Sequence, residues 1–370
     1  MAKRIVVWFS AVGIATLVAA GAFLATGCGG GGERSSSADT GDDIDPNATP
    51  VISSATNTVT HGAIASVAGS AFGPKSEAAP FKWDNFENGT SGNPLSSIGW
   101  THYNAGSSYP QISTTQAYAG TRSAFAHLIP DGNNEGFPTA GLHGLSTKYF
   151  YASYQYRWEV TGGAMGSGFI KLLRANGPNA FYSSRPRFYT SLHPGGTSPL
   201  LNAGYSYTSA DADNAGEASS NVPQGTWNRL EVYYKLSQPA GSATGTLQTW
   251  ANLVRKVNLT SQMTLPTGQT SATIENFLLP FMASNLPGGV ELRMYVDDIY
   301  VDNTQARIEI GNAATWAACT RREIQIPTTW SNTSASFTVN RGALSDGAAW
   351  VYVVHANGRP SAGFPITLAP

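Results

Sequence analysis

Charge is what this sequence has least of. Only 12% of its 370 residues are Asp, Glu, Lys or Arg, against about 25% in ordinary globular domains. Long amphipathic helices need charged residues to solvate their outer faces, so a helical bundle is excluded. Disorder driven by high charge and low hydrophobicity is excluded for most of the chain as well, since 41% of residues are hydrophobic. A formal net charge of −1 leaves no basic footprint for nucleic acid. Cysteine is nearly absent, at two residues. What is present in quantity is glycine (40), proline (21) and aromatic side chains (11%). That composition fits strands joined by many turns, and the length suits two domains.

Lys3 and Arg4 precede an uncharged run from Ile5 to Leu24, long enough to enter a bilayer. The following Ala25-Thr26-Gly27-Cys28 resembles the lipobox of bacterial lipoproteins, although the Leu stands at 24 and Ala25 occupies its usual place. The resemblance implies a signal peptide over 1–27, cleavage before Cys28 and lipidation of Cys28. The other reading is an uncleaved anchor helix; both place the rest of the chain outside the inner membrane. Residues 28–49, with Gly29 to Gly32 and a Ser/Asp-rich stretch, carry no apolar periodicity and read as a flexible tether. Gly29 rather than Asp after the cysteine resembles lipoproteins sent to an outer membrane. The expected location is therefore the bacterial cell envelope, lipid-anchored, at the outer membrane or cell surface. With Cys28 lipidated only Cys319 remains, so no intrachain disulfide, Cys-based zinc site or CxxC motif is possible. Cys319 beside Trp316 reads as a small buried hydrophobe.

From residue 50 to 80, short alternating runs are punctuated by glycines: Val51-Ile52, Gly62, then Ala68-Gly69-Ser70-Ala71-Phe72-Gly73. They predict two or three strands with tight turns. The segment resembles the first half of an IPT/TIG immunoglobulin-like domain, with Ala71 in the middle of its Gly-Ser-Gly-Phe-Gly-like turn. The second half does not follow directly. Strand-like runs that suit it occur near the C-terminus, from Arg307-Ile308-Glu309-Ile310-Gly311 to Gly363-Phe364-Pro365-Ile366-Thr367-Leu368, with an Asn-Gly hairpin signal at Asn357-Gly358. Residues 50–80 are too few to bury a core alone, but with 303–370 they approach the roughly 100 residues of an Ig-type sandwich. The expectation is one Ig-like spacer or adhesion domain formed by 50–80 plus 303–370, with a large domain inserted in a surface turn.

Residues 81–302 hold many strand-like runs and only brief helix-compatible stretches. Trp83-Asp84-Asn85-Phe86-Glu87-Asn88-Gly89, Tyr118-Ala119-Gly120-Thr121-Arg122-Ser123 and Tyr295-Val296-Asp297-Asp298-Ile299-Tyr300-Val301 resemble the first, second and last strands of concanavalin A-like jelly rolls. That superfamily includes lectins, carbohydrate-binding modules, glucanases and polysaccharide lyases. The run from Trp227 to Lys235, followed by Leu247 to Asn252, resembles a strand pair of heparin-lyase-like members. The fold class implied is all-β, a large jelly-roll β-sandwich plus a small Ig-like β-sandwich.

Counting by twos locates a candidate site. Arg185, Arg187, Tyr189, Ser191 and His193 alternate with Pro186, Phe188, Thr190 and Leu192; Gln155, Arg157 and Glu159 alternate with Tyr154, Tyr156 and Trp158. The same split places Arg229, Glu231, Tyr233 and Lys235 on one face. Such faces are commonly just the solvated side of a sheet. Against that, a charge-poor chain has placed Lys171, Arg174, Arg185 and Arg187 close together, with Tyr189 and His193 following. Arginine pairs a carboxylate bidentately, and aromatic rings stack on sugars, so these residues with Arg157 and Tyr233 are the expected ligands of an acidic polysaccharide. Exposed aromatics such as Trp100, Tyr103, Tyr109 and Trp250 would serve a binding module equally.

Three functions follow: polysaccharide binding on a concave jelly-roll face, β-elimination by a lyase, or a structural or adhesion role in the envelope. A lyase needs a group that neutralises the uronate carboxylate and a base for the adjacent proton. Arg187 with Gln155 or Arg157 could do the first, His193 or Tyr189 the second. The Gln-x-His and Tyr-Phe-Lys strands of alginate lyases are absent; Tyr234-Lys235 is a partial echo. Glycoside hydrolysis is disfavoured because the Glu-x-Asp-x-x-Glu arrangement expected of a glucanase of this superfamily is missing, and Glu159, Glu217, Glu231, Glu275 and Glu291 stand apart. No cofactor is required. A structural calcium is possible at Glu87, Asp297 and Asp298, which resemble the positions of that ion in some carbohydrate-binding jelly rolls. Asp211-Ala212-Asp213-Asn214 has alternate acid spacing but reads as an exposed turn.

Overall fold

A computed structural model describes residues 45–103, 109–129, 135–136, 139–178, 186–194, 200–206 and 214–370. The signal and the tether through residue 44, with Cys28, together with Arg185, Asp211 and Asp213, lie outside the described residues. Those described form an all-β body, with short 3-10 turns at Leu95–Ile98 and Trp316–Ala318. No helix among them is long and apolar enough to cross a membrane.

Two large antiparallel sheets pack face to face. The eight-stranded sheet runs in the order Val254–Gln262, Gly245–Ala251, Asn228–Lys235, Tyr149–Thr161, Glu291–Asp302, Ser123–Leu128, Gln111–Ser113, with Lys82–Asp84 also paired to Glu291–Asp302. The nine-stranded sheet runs Asn214–Ser219, Leu200–Ser206, Arg187–His193, Phe169–Asn176, Ile274–Leu278, Thr139–Thr147, Thr101–Tyr103, with Met282–Ser284 and Glu135–Gly136 alongside. Each contributes its apolar alternate residues to one core: Phe150, Tyr154, Tyr156 and Trp158 from the first, Ile170, Leu172, Phe188 and Phe277 from the second. Aromatic contacts tie the layers, with Phe188 stacked on Tyr234 at 4.6 Å and Phe150 against Phe277 at 5.5 Å. The Tyr234 hydroxyl lies 2.9 Å from that of Thr190, so a polar tip inside the core is satisfied across the sandwich. Trp100 belongs to this core at 2% exposure, its Nε1 donating to Asp84 at 2.8 Å, and is not available to a ligand.

Two smaller sheets have a separate apolar core around Val67, Phe72, Ile308, Phe337, Val351 and Val353. In the four-stranded one, Ile64–Ser70 lies between Val51–Ala55 and Ser334–Thr338, and Ile326–Trp330 completes it. In the five-stranded one, Thr58–Thr60 runs parallel to Phe364–Ala369, followed by Gly347–Val354, Arg307–Gly311 and Arg322–Ile324. Ala71 sits at φ +56°, the left-handed region where glycine is unstrained. Cys319 is buried, its Sγ 3.6 Å from the Tyr352 hydroxyl.

The smaller sheets cover part of the outer face of the eight-stranded sheet. Glu309 accepts from Arg229 at 3.0 and 3.1 Å, from Arg307 at 2.6 Å and from Arg322 at 3.1 Å. Glu231 takes the Tyr151 hydroxyl at 2.6 Å and pairs with Arg229 at 3.1 Å. Three guanidinium groups therefore hold the Glu309 carboxyl well below the usual range even though burial opposes it.

Candidate functional site

Alternation along the strands correctly separates core from outer residues, but the outer residues belong to two faces on opposite sides of the sandwich. Gln155 and Arg157 stand on Tyr149–Thr161 and Tyr233 on Asn228–Lys235, all in the eight-stranded sheet. They do not meet Arg187, Tyr189 or His193, whose strand is in the nine-stranded sheet. The expectation that Gln155 or Arg157 assists Arg187 is corrected accordingly. Tyr233 is buried among Tyr151, Tyr300 and Ile324. Arg157 is engaged by Glu159 at 2.6 and 2.9 Å.

The nine-stranded face does assemble the other described cations. Counting by twos would put Lys171 and Arg174 on opposite sides of their strand. A register shift between Lys171 and Leu173 re-phases it, so that Lys171 pairs with Ser191 and Arg174 with Tyr189. One row of neighbours across five strands reads His143, Asn276, Asn176, Arg187, Ser206, and the next reads Gly141, Leu278, Arg174, Tyr189, Gly204. The guanidinium of Arg174 lies over the Tyr189 ring at 5.0 Å. Further along, Phe169 stacks on His193 at 4.9 Å and carries the ammonium of Lys171 at 5.8 Å.

Arg174 is in an unusual electrostatic position. It is half-buried, and burial followed by the charge of Arg187 pushes its pKa down to about 10, with only Tyr189 and Tyr234 acting the other way. No carboxylate pairs with it among the described residues. It remains a cation at neutral pH, and a guanidinium carries a fork of N–H donors that matches a planar anion.

Sequence reasoning missed His143, Asn176 and Asn276. The Asn276 Nδ2 donates to the Gly177 carbonyl at 2.8 Å, which fixes its Oδ1 toward His143 Nδ1. An amide oxygen only accepts, so Nδ1 donates in this contact, and in a neutral ring the lone pair is then on Nε2. His143 was obscured because Gly141 and Gly144 flank it and interrupt the alternation. The available signal was polar Asn at core-flanking alternate positions, Asn176 at 0% and Asn276 at 6% exposure.

Glu87, Asp297 and Asp298 lie near one another but are met by N–H donors. Thr121 and Arg122 donate to Glu87, each at 2.7 Å from backbone N; Tyr118 and Asp298 donate to Asp297 at 2.8 Å; Asn340 donates to Asp298 at 3.2 Å. Burial and the charge of Asp298 raise Asp297 well above the carboxylate range, and burial raises Asp298 to about 6. Burial and then Asp298 raise Glu323 to about 8, with Tyr118 hydrogen-bonded to it. Among the described residues no group of three or more His, Cys, Asp or Glu side chains is arranged to hold a metal ion. Tyr109 is 44% exposed and stacks on His102 at 4.6 Å, while Trp250 is half-buried against the Tyr151 cluster.

No protein-family model matches the chain, and no curated protein matches it. Among solved structures, an alginate lyase in complex with alginate trisaccharide aligns with 61% of this chain and 99% of its own, at 13% identity and a TM-score of 0.47. An endo-β-1,4-glucuronan lyase from the fungus Trichoderma reesei aligns with 61% and 96%, at 12% identity and 0.45. An alginate lyase from a Chlorella virus aligns with 60% and 99%, at 11% identity and 0.41. Likeness at these values assigns this chain neither activity nor substrate.

Proposed function

We propose that the outer face of the nine-stranded sheet binds an acidic polysaccharide, with Arg174 and Arg187 receiving sugar carboxylates. The observation that carries this reading is Arg174, a half-buried cation lying over the Tyr189 ring with another arginine beside it and no carboxylate partner among the described residues. A partly desolvated guanidinium beside a like charge gains from an anion that pairs with it. Tyr189, Phe169 and His193 supply rings on the same face. Lys171 adds a further cation, and Arg185 precedes the strand in sequence. In the same reading the chain is held in the bacterial envelope by lipid on Cys28, and 50–80 with 303–370 act as an IPT/TIG-like spacer. Titrating the full chain with polyglucuronate at low and high salt tests the binding, which weakens as salt rises because charge pairing is screened. Salt-independent binding of a neutral glycan instead would refute it.

A second reading, β-elimination, is favoured by the fixed tautomer of His143. In that reaction a base takes the proton on the carbon beside the carboxylate, that carbon forms a double bond to its neighbour as the neighbour's bond to the glycosidic oxygen breaks, and the leaving oxygen takes a proton from water. His143 Nε2 is the lone-pair nitrogen suited to the first step. Asn176, Asn276 and Arg187 lie in its row to stabilise the charge that builds on the carboxylate. Unsaturated product from alginate, polyglucuronate or heparin is the readout. His143→Gln lowers its rate by about 10²–10⁴-fold; a wild-type chain that binds these polymers without forming product leaves the binding function alone.

A further inference from the structure

On the outer face of the eight-stranded sheet, at the seam with residues 320–322, lies a cavity of about 160 Å³ lined in part by Tyr118, Gln155, Trp227, Leu253 and Arg321. We infer that this cavity is a second, non-catalytic binding site for one carboxylate-bearing sugar unit. It shares no residue with the nine-stranded face and stands independently of that face's function.

The first support is Gln155. Its side chain is 95% buried by exposure of 5%, it lines the cavity, and it makes no described hydrogen bond to the protein. Its strand neighbours Arg229 and Asp297 are occupied elsewhere, Arg229 by Glu309 and Asp297 by backbone N–H groups. Its amide atoms are open to the cavity, where their donors and acceptor are unused by the protein and can meet a ligand.

Charge and shape specify the partner. All charged lining residues are cations: Arg229, Arg321 and Arg322. Arg229 and Arg322 already hold Glu309. Arg321 is exposed, lies over the Tyr118 ring at 5.9 Å and donates from Nη1 to the Ala343 carbonyl, with further guanidinium donors remaining. Half-buried Trp227 meets Tyr118 edge-on at 6.0 Å and offers a flat wall. An aromatic wall, a buried amide and an arginine in a small space suit a sugar ring with a carboxylate.

The second support is backbone strain at the rim. Asn252 and Leu253 form the two-residue turn between Gly245–Ala251 and Val254–Gln262, at φ +49° and +69°. Such turns favour Asn followed by Gly. The side chain of Asn252 is locked by Arg229 N, Asn221 O and Asn228 Oδ1 at 3.0, 2.8 and 2.9 Å. Leu253, by contrast, occupies a conformation a leucine rarely adopts, and its residue lines the cavity. Strain kept at a cavity wall is expected where the side chain serves a ligand.

The test is calorimetric titration of the full chain carrying Arg174→Met, which weakens the other face, with a glucuronic acid disaccharide and with cellobiose. The acidic disaccharide binds, and cellobiose binds at least about tenfold more weakly. Adding Gln155→Leu weakens the acidic disaccharide by about tenfold. Adding Leu253→Gly weakens it comparably while leaving the melting temperature equal or higher, a combination that misfolding cannot produce. Absence of binding by the Arg174→Met chain, equal binding of cellobiose, or binding indifferent to both added substitutions would overturn the site.

Discussion

The two outer faces of the large sandwich look alike in sequence and differ in what surrounds them. Both carry arginine and tyrosine at alternate positions. On the eight-stranded face, Arg229, Arg307 and Arg322 share Glu309, and Arg229 also meets Glu231. On the nine-stranded face, Arg174 has Arg187 and tyrosines around it and no carboxylate among the described residues. A charge cluster closed by its own acids is an internal joint between layers. An arginine left without an acid is the basis for proposing an anion from elsewhere.

Substitutions that exchange these situations should have opposite signatures. The largest effect belongs to the joint: Glu309→Gln leaves three buried guanidinium groups short of their shared carboxylate and lowers stability by about 3–5 kcal/mol. Denaturant unfolding checks it, and a loss comparable to a surface substitution would break the distinction between the faces. Next comes Arg174→Met, which removes a charged hydrogen-bonding group of about 1.5–3 kcal/mol toward a carboxylate. It should weaken acidic polysaccharide by roughly 10–100-fold with no loss of thermal stability, because a buried repulsion with Arg187 disappears at the same time.

The polar faces were legible in the residues because strand alternation has a fixed period, and Phe150, Tyr154, Phe188 and Leu192 do fill the core. What alternation does not encode is which of two sheets a strand joins. Gln155 and Arg187 therefore read as neighbours although a core separates them. The partner of Arg229 is equally invisible locally, since Glu309 is 80 residues away along the chain. The register shift at Lys171 to Leu173 placed Arg174 on the cationic face in spite of its even position. His143 was hidden by its glycines, and its role emerged only through Asn276 and Gly177.

The smallest predicted effect is a pH dependence located at the seam. Burial raises Glu323 to about 8 and Asp298 to about 6. Both acids bind a proton more tightly folded than unfolded, so their contribution is complete below the unfolded values. It is lost as pH rises through about 6 for Asp298 and about 8 for Glu323. Glu309, depressed by its arginines, works in the other direction and is lost in acid. The melting temperature should therefore fall between mildly acidic pH and pH 8, and Glu323→Gln should flatten that slope. An unchanged slope in the variant would remove Glu323 from the account without touching the nine-stranded face.

The central claim, that Arg174 marks a face built for a carboxylated glycan, is tested most directly by one paired titration. The full chain and its Arg174→Met variant are titrated with polyglucuronate and with uncharged hydroxyethyl cellulose under the same salt. Polyglucuronate binding drops by at least about tenfold in the variant, with no such drop for the neutral polymer. Equal affinity of both proteins for polyglucuronate would contradict it.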